Sequence, residues 1–575
     1  MTGQINTTPS WAKDLADIYR SGVATLFVLH GSIFDLVPVR RGDSVEFLTL
    51  KDYVADALFP QRSAVIFYDP SSGLTFRSEK ARDDFHRVQK AAATVLGKVS
   101  YDYALPRDAY GAVRAIEQYL RTRVHSGETG GVAVVIDYAQ TLCPPGEFAH
   151  MSAQEMSTFV TILKWANDPT FLRADITICL IAENLADIHP SLVGNPFVQK
   201  VRIELPERAE RLEFIGRAFE KRALENASEF PADILAERTA GLSRVNIRQL
   251  ILHAIRNDEQ ITASYLAAKK KELIERECYG LLEFIEPKFG LDVVSGHNAA
   301  KQWLREDSRL LKEGHLAAAP MGYLICGPVG TGKSFLVTCA AGEIGIPLVR
   351  MKNFRSKWVG ATEGNLEKIL GTLRSLGPVG VVVDEADAAL GNRQAGGDSG
   401  VSSRVFGMIA EQMGNTAYRG QILWFLLTAR PDYLPIDLKR QGRAEVHIPL
   451  FYPETPGEMA DMIKVMARKN EAPVEDPDNI KIPPDKRLSG SDIEGIVVRA
   501  NRRRLLENKP SIKAEYLNDE IGKFPSRAED AEIRLQTLAA IFECTHEQFL
   551  PERYRAMSRS AIISEILTLK HELGE

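Results

Sequence analysis

Tyr323-Leu-Ile-Cys-Gly-Pro-Val-Gly-Thr-Gly-Lys-Ser-Phe335 reads as a buried strand, a glycine-rich turn and the start of a helix. Gly327, Gly332, Lys333 and Ser334 fill the fixed positions of the phosphate-binding pattern G-x-x-x-x-G-K-[ST]. Glycines let successive backbone N–H groups curve around phosphate oxygens, where a Cβ would intrude. The following helix turns its unpaired N–H groups and the positive end of its dipole toward the same anion. Lys333 supplies a charge for the β- and γ-phosphates, and Ser334 a hydroxyl for Mg2+. With Pro328, Val329, Gly330, Thr331 and Phe335, these residues make up the expected nucleotide-binding loop.

Toward the C-terminus, a helix over 335–344 and a short strand over 347–351 are expected. Val379-Gly-Val-Val-Val383 is a buried strand ending in Asp384-Glu385. Two adjacent carboxylates beside a phosphate loop suit separate roles: Asp384 holds Mg2+, and Glu385 orients or polarises an attacking water. Residues 391–400 contain four glycines, which predicts a mobile loop. A strand over 422–427 leads into Thr428-Ala-Arg-Pro431, then Asp437-Leu-Lys-Arg-Gln-Gly-Arg443 and a strand over 446–450. Helical segments begin at Glu454 and at Ser491.

Toward the N-terminus, apolar strands are expected over 24–29, 64–68, 131–137, 177–182 and 201–206. A helix is expected over 110–121, and further helices run to about residue 278. Strands alternating with helices indicate an α/β layer architecture with a parallel sheet. The order of features repeats in the second half, which points to internal duplication. In the first copy, Asp69-Pro-Ser-Ser-Gly73 is followed by Leu74 and Thr75 rather than a Lys-Ser pair, and Asp137 is followed by Tyr138 rather than Glu. Residues 11–275 therefore read as a nucleotidase-like domain that has lost hydrolysis, with an unrelated α/β domain as the alternative.

Length allows about three or four domains. The formal charge of −5, from 71 basic and 76 acidic residues, gives no global attraction to nucleic acid or anionic membrane. The six cysteines form no metal-ligand spacing, so buried, reduced thiols are expected. Met1–Ser10 lacks a signal pattern, and no apolar run approaches the ~20 residues needed to span a bilayer. A soluble, cytoplasmic protein with no membrane partner is expected. The basic runs 269–271 and 502–504 read as solvated helix faces. Apolar stripes at 533–542 and 562–569 read as packing surfaces, internal or against a neighbouring subunit.

The ordered set Gly-Pro-Val-Gly-Thr-Gly-Lys-Ser (327–334), Val-Val-Val-Asp-Glu-Ala-Asp (381–387), Thr-Ala-Arg-Pro (428–431), Gln-Gly-Arg (441–443) and Gly-Ser-Asp-Ile (490–493) resembles the AAA branch of the AAA+ ATPases. The resemblance covers roughly residues 280–510. A degenerate first copy beside an active second one is similar to the ycf-type plastid and cyanobacterial AAA proteins. The resemblance implies two tandem P-loop-type modules, each a parallel sheet plus a helical lid. It places a degenerate domain over 1–205 with its lid over 206–278, an active domain over 279–453 with its lid over 454–525, and C-terminal helices over 526–575. Val294, within Asp292-Val-Val-Ser-Gly296, matches the segment that lines the adenine. Gly490 and Ser491 match the lid element at the nucleotide. Lys357, Trp358 and Val359 resemble the first pore loop, whose aromatic grips a polypeptide. Arg443 matches the arginine that serves a neighbour's ATP, with Arg440 and Arg404 as substitutes. The second arginine expected three residues on is Val446. The asparagine expected after Thr428 is Ala429, leaving Thr428 to position water in its place.

The resemblance implies ATP and Mg2+ as cofactors, a homo-oligomeric ring of six, and a protein substrate or adaptor. The expected function is ATP-driven remodelling or unfolding of a protein through a central pore. Alternatives are an ATP-switched scaffold or regulator with slow hydrolysis, and a nucleic-acid remodeller, against which the near-neutral charge counts.

Overall fold

Runs of Val, Ile, Leu and Phe buried on both sides make the strands, as a parallel sheet covered by helices requires. The structure, a computed structural model, describes residues 8–42, 44–95, 104–127, 130–146, 148–278, 280–352, 362–390, 399–483, 486–525 and 530–575. It divides into two compact units, Met1–Ile274 with Val359–Ser375, and Glu275–Trp358 with Leu376–Glu575. Lys357, Trp358, Val359 and most of the 391–400 loop lie outside the described residues.

The strands of the first unit are β1 (Leu26–Gly31), β2 (Val37–Arg41), β3 (Ser44–Leu48), β4 (Ala64–Asp69), β5 (Gly73–Phe76), β6 (Val132–Ile136), β7 (Ile176–Ile181) and β8 (Val198–Ile203). The main sheet runs β8-β1-β7-β6-β4-β5; the first five strands are parallel, and β5 is antiparallel to β4. One face buries Ile116, Tyr119, Phe159 and Trp165, and the other buries Trp11, Leu15, Tyr53 and Phe59. Helix Thr362–Ser375 belongs to this unit, where Lys368 pairs with Glu183 at 2.6 Å.

The second unit holds β9 (Leu282–Ile285), β10 (Gly322–Cys326), β11 (Leu348–Met351), β12 (Val379–Val383), β13 (Ile422–Thr428) and β14 (Val446–Pro449). Its sheet runs β14-β10-β13-β12-β11-β9, with β9 antiparallel at the edge. Register sets Gly322 opposite Trp424, Cys326 opposite Thr428 and Tyr323 opposite Val446. The five parallel strands of both sheets follow one order, with β8-β1-β7-β6-β4 matching β14-β10-β13-β12-β11. The expected tandem α/β architecture is present.

That order corrects one reading. The counterpart of β10 is β1, so the altered phosphate loop begins at Gly31 and not at residues 69–75. Asp69 instead accepts the N–H groups of Ser71 and Ser72 at 3.0 and 2.8 Å, a turn that reverses the chain from β4 into β5. Gly31 has φ +97°, and a Cβ there would lie 2.6 Å from the Ile203 carbonyl oxygen. Gly327 has φ +138°, and a Cβ there would lie 2.2 Å from the Leu450 carbonyl oxygen. Both positions require glycine because the chain leaves its strand against the neighbouring edge strand. After Gly31 the β2–β3 hairpin follows, where the second unit has helix Lys333–Ile344. Among the described residues, the first copy has no anion-binding helix N-terminus at this place.

Asp35, just past Gly31, is buried and pairs with Arg244 at 3.2 Å, the two side chains being 3% and 7% exposed. Asp35 also accepts the Val245 N–H at 3.1 Å. Ser243 caps the helix carrying Arg244 (Arg244–Asn257), as Ser489 caps helix Gly490–Leu506 in the second unit. An internal carboxylate and a lid arginine thus meet beyond the glycine that opens this degenerate loop. Arg244→Met should destabilise the protein by about 3–5 kcal/mol, because it leaves a buried carboxylate without its cation. Urea unfolding of the full chain measures this; a loss below about 1 kcal/mol would equate the pair with a solvated one.

In the second unit, helices Pro456–Lys469, Gly490–Leu506 and Ala514–Lys523 bury Met459, Ile463, Ile493, Ile496, Val497 and Leu517 as a small lid core. The two C-terminal stripes divide. Ile533, Leu535, Leu538 and Ile541 are buried, and so is Ile562, whereas Ile563 and Leu567 are exposed. The helix Ala531–Glu543 packs within its own unit: Lys439 pairs with Glu543, and the Glu543 carbonyl accepts from the His447 ring at 2.8 Å. The basic runs meet acidic neighbours, Lys269 with Glu272 and Arg503 with Glu507 and Asp519. All six cysteines are free, five of them buried. Among the described residues no helix is long and apolar enough to cross a membrane.

Candidate active site

At the carboxyl end of a parallel sheet, loops that leave neighbouring strands in different directions open a crevice suited to ligands. Here the loop after β10 and the ends of β12 and β13 form it. Gly330 and Gly332 adopt φ +81° and +83°, conformations that side-chain-bearing residues rarely take. These positive φ angles let the loop curl, and helix Lys333–Ile344 starts directly from it. The cradle fits a polyphosphate.

Lys333 Nζ donates to the carbonyls of Gly327 and Pro328 at 2.7 and 2.9 Å, folding the ammonium back over the loop. Burial pushes its pKa down to about 8, opposed by the nearby Asp384 and Asp387 carboxylates. A phosphate bound there would restore the proton's stability. Below about pH 8 the free lysine already carries its proton, while above it ATP binding must take one up. ATP affinity should therefore hold steady to about pH 8 and then fall by up to about tenfold per pH unit. Titrations of labelled ATP from about pH 7.5 to 9.5 measure this, and a flat profile would place the lysine outside the phosphate site.

Ser334 Oγ donates to Asp384 Oδ2 at 3.0 Å, so the two oxygens expected at Mg2+ already adjoin. Oxygen donors from a hydroxyl and a carboxylate are what a hard cation prefers. Such an ion would draw charge from the phosphates. The other Asp384 oxygen accepts the Glu385 N–H at 3.1 Å, and Glu385 has the left-handed φ of 48°. The first unit repeats this turn: Tyr138 has φ 52°, and its N–H meets Asp137 at 2.9 Å. The backbone of the strand end is preserved there, and the second carboxylate is not.

Thr428 is the last residue of β13. It is 1% exposed, its hydroxyl donates to Asp387 at 2.6 Å, and the same oxygen accepts the Arg430 N–H at 2.9 Å. With its one proton directed at Asp387, it orients that carboxylate and has none for a water. Ala429 offers no amide in its place. Arg430, which sequence reasoning passed over, is 6% exposed and forks onto Asp432 and Glu575; Lys570 also pairs with Asp432. The segment after β13 is thereby held by the C-terminal helix.

The lid reaches the loop. Ser491 N–H approaches the Gly330 carbonyl at 3.3 Å, and a Cβ on Gly330 would lie 2.8 Å from Ser489 Oγ. Gly490 is as tightly placed, its would-be Cβ 3.1 Å from the Gly330 carbonyl. Val294 is buried, and its carbonyl accepts from Lys301 at 2.8 Å. Next to it, a cavity of about 200 Å3 is lined by Ser295, Gly296, Tyr452, Met462 and Phe549. Phe335 is half-buried, with Lys469 Nζ 5.0 Å from its ring centre. Arg443 precedes β14 beside Gly322, at the opposite end of β10 from the glycine loop: its Nη1 donates to the Asp437 carbonyl at 2.7 Å, and its Nε is buried with no hydrogen bond. Arg440 on the same turn is exposed.

Comparison with known proteins agrees with this geometry. Residues 2–204 match the N-terminal Rossmann-like domain of AAA+ chaperones, residues 209–279 their second helical domain, and residues 323–452 the AAA domain. The chain is 25% identical over 493 residues to a cell division cycle protein 48 homolog of Archaeoglobus fulgidus, covering 79% of this chain and 64% of the relative. It is 29% identical over 240 residues to the ATP-dependent zinc metalloprotease FtsH of Hahella chejuensis, covering 40% of this chain and 38% of the relative. It is 24% identical over 359 residues to an uncharacterized AAA domain-containing protein ycf46 of Guillardia theta, 60% of this chain and 67% of the relative. With a chaperone-type Rossmann-like domain and its helical partner ahead of an AAA domain whose glycine loop and strand-end carboxylates stand together, the chain joins an AAA+ chaperone-type N-terminal region to an AAA domain.

Proposed function

We propose that this chain assembles into a ring, six subunits being the expected number, and uses ATP hydrolysis to remodel or unfold a protein drawn through its central channel. Residues 279–453 are the motor and 454–525 its lid; residues 1–278 are a domain that does not hydrolyse ATP. The observation that carries the reading is Ser334 against Asp384 with Glu385 beside them, a hydrolytic arrangement joined in one chain to an AAA+ chaperone N-terminal domain. Val294, the neighbouring cavity and Met462 receive the base. Gly490 and Ser491 close on the phosphate side. Lys357, Trp358 and Val359 grip the polypeptide, and an aromatic side chain suits that role because it takes hold of any passing side chain without sequence choice.

The test is particle imaging and sizing of the full chain with ATP. Closed rings with density along the channel are expected, together with loss of remodelling but not of ATP binding in Trp358→Ala. Chains that stay monomeric with ATP, or Trp358→Ala rings that unfold substrates normally, would remove the proposal. The second reading, an ATP-switched scaffold with slow turnover, draws on Ala429 and on the Thr428 proton that goes to Asp387. Turnover by Ala429→Asn well above the parent protein would favour it.

A further inference from the structure

Two side chains outside the phosphate-binding motif hold consecutive peptide groups of its loop. Gln536 Oε1 accepts the Val329 N–H at 3.1 Å, and the Tyr452 hydroxyl donates to the Val329 carbonyl at 2.8 Å. Gln536 is 5% exposed on helix Ala531–Glu543, and its Nε2 donates to Glu532 at 3.0 Å, which keeps the acceptor oxygen facing the loop. Burial pushes the Tyr452 pKa up to about 12, so the phenol remains a donor. Val329 itself is 53% exposed, and its own side chain therefore anchors nothing.

We propose that Gln536 and Tyr452 are positioning residues for ATP, setting the curvature of the loop before nucleotide arrives. The loop has glycines on either side of Val329, at 327 and 330, and glycine loses more conformational freedom on ordering than any other residue. Fixing the peptide planes before and after Val329 removes much of that freedom in the free protein. ATP then meets N–H groups already turned inward, and the ordering cost no longer subtracts from its binding. Gln536 lies 207 residues from Val329, so the C-terminal helices become part of the nucleotide site. The inference rests on residues 327–334 as the ATP site and is independent of ring or pore.

The experiment uses the full chain with Gln536→Met, which keeps the shape and removes the acceptor, and with Tyr452→Phe, which leaves the C-terminal helix untouched. Each should raise the Kd for ATP and the KM by about three- to tenfold, the range of one neutral hydrogen bond, with kcat within about twofold. The double variant should lose more than either. Exchange of the Val329 amide, read by hydrogen–deuterium exchange, should quicken in both. A Tyr452→Phe protein with unchanged Kd and KM, or variants that lower kcat at constant KM, would overturn the proposal. Lys333→Ala separates the two ideas: if it bound ATP normally, the site assignment would fail instead.

Discussion

Replacing Glu385 by Gln is expected to lower ATP turnover by about 10²–10⁴-fold while leaving ATP affinity unchanged. Gln keeps the size and polarity of the side chain but cannot take a proton from water. The groups proposed to bind ATP, the glycine loop, Lys333 and the Ser334–Asp384 pair, are held by contacts that do not involve the Glu385 side chain. Glu385 occupies a left-handed backbone position at φ 48°, which costs a non-glycine residue of the order of 1–3 kcal/mol and persists where the surroundings hold it. Neither Thr428 nor residue 429 can replace it, because Thr428 gives its proton to Asp387 and residue 429 is alanine. Phosphate release per chain, with labelled-ATP binding in parallel, measures the outcome. A loss smaller than tenfold would assign water activation to another side chain, and a matching loss of affinity would make Glu385 a binding residue.

The glycine loop of the candidate site was legible because its pattern is local. Left-handed glycines, a lysine and a hydroxyl must stand at fixed spacing, and buried strands flank them. Asp384 and Glu385 were legible for the same reason. The first unit was harder. Asp69-Pro-Ser-Ser-Gly73 carries the turn residues that a loop after a strand should have, and the true counterpart, Gly31-Ser-Ile-Phe-Asp35, carries fewer of them. Only strand order distinguishes β1 from β4, and strand order is a property of pairing across distant segments. The Asp35–Arg244 pair spans 209 residues and the Gln536–Val329 hydrogen bond 207, so neither leaves a trace in local pattern. At Thr428 the position was legible and the partner was not: its hydroxyl donates to Asp387, a side chain of the strand-end motif 41 residues earlier.

Arg443→Ala is expected to reduce turnover by about 10³–10⁵-fold with ATP affinity retained, the loss seen when an arginine finger is removed. Within its own chain the Arg443 guanidinium lies against Gly414, 3.4 Å from where a Cβ would stand, and its Nε has no hydrogen-bond partner. A buried guanidinium nitrogen without an acceptor is costly, so a phosphate oxygen presented by a neighbour would be a better partner than the Asp437 carbonyl alone. Arg443→Lys should rescue little, because an ammonium lacks the planar fork. Val446, where a second finger is expected, is 6% exposed and sits within β14 opposite Tyr323. An arginine there would be buried in the sheet, so the proposed role falls to Arg443, with Arg440 and Arg404 as the alternatives. Mixing decides whether Arg443 acts on a neighbour. Lys333→Ala chains cannot use ATP but still carry Arg443, whereas Arg443→Ala chains bind ATP but lack the finger. Mixed in equal amounts, they should recover hydrolysis that neither shows alone. Mixtures as inactive as their parts would confine Arg443 to its own subunit, and Arg440→Ala, made in parallel, should lose far less than Arg443→Ala if Arg443 is the finger.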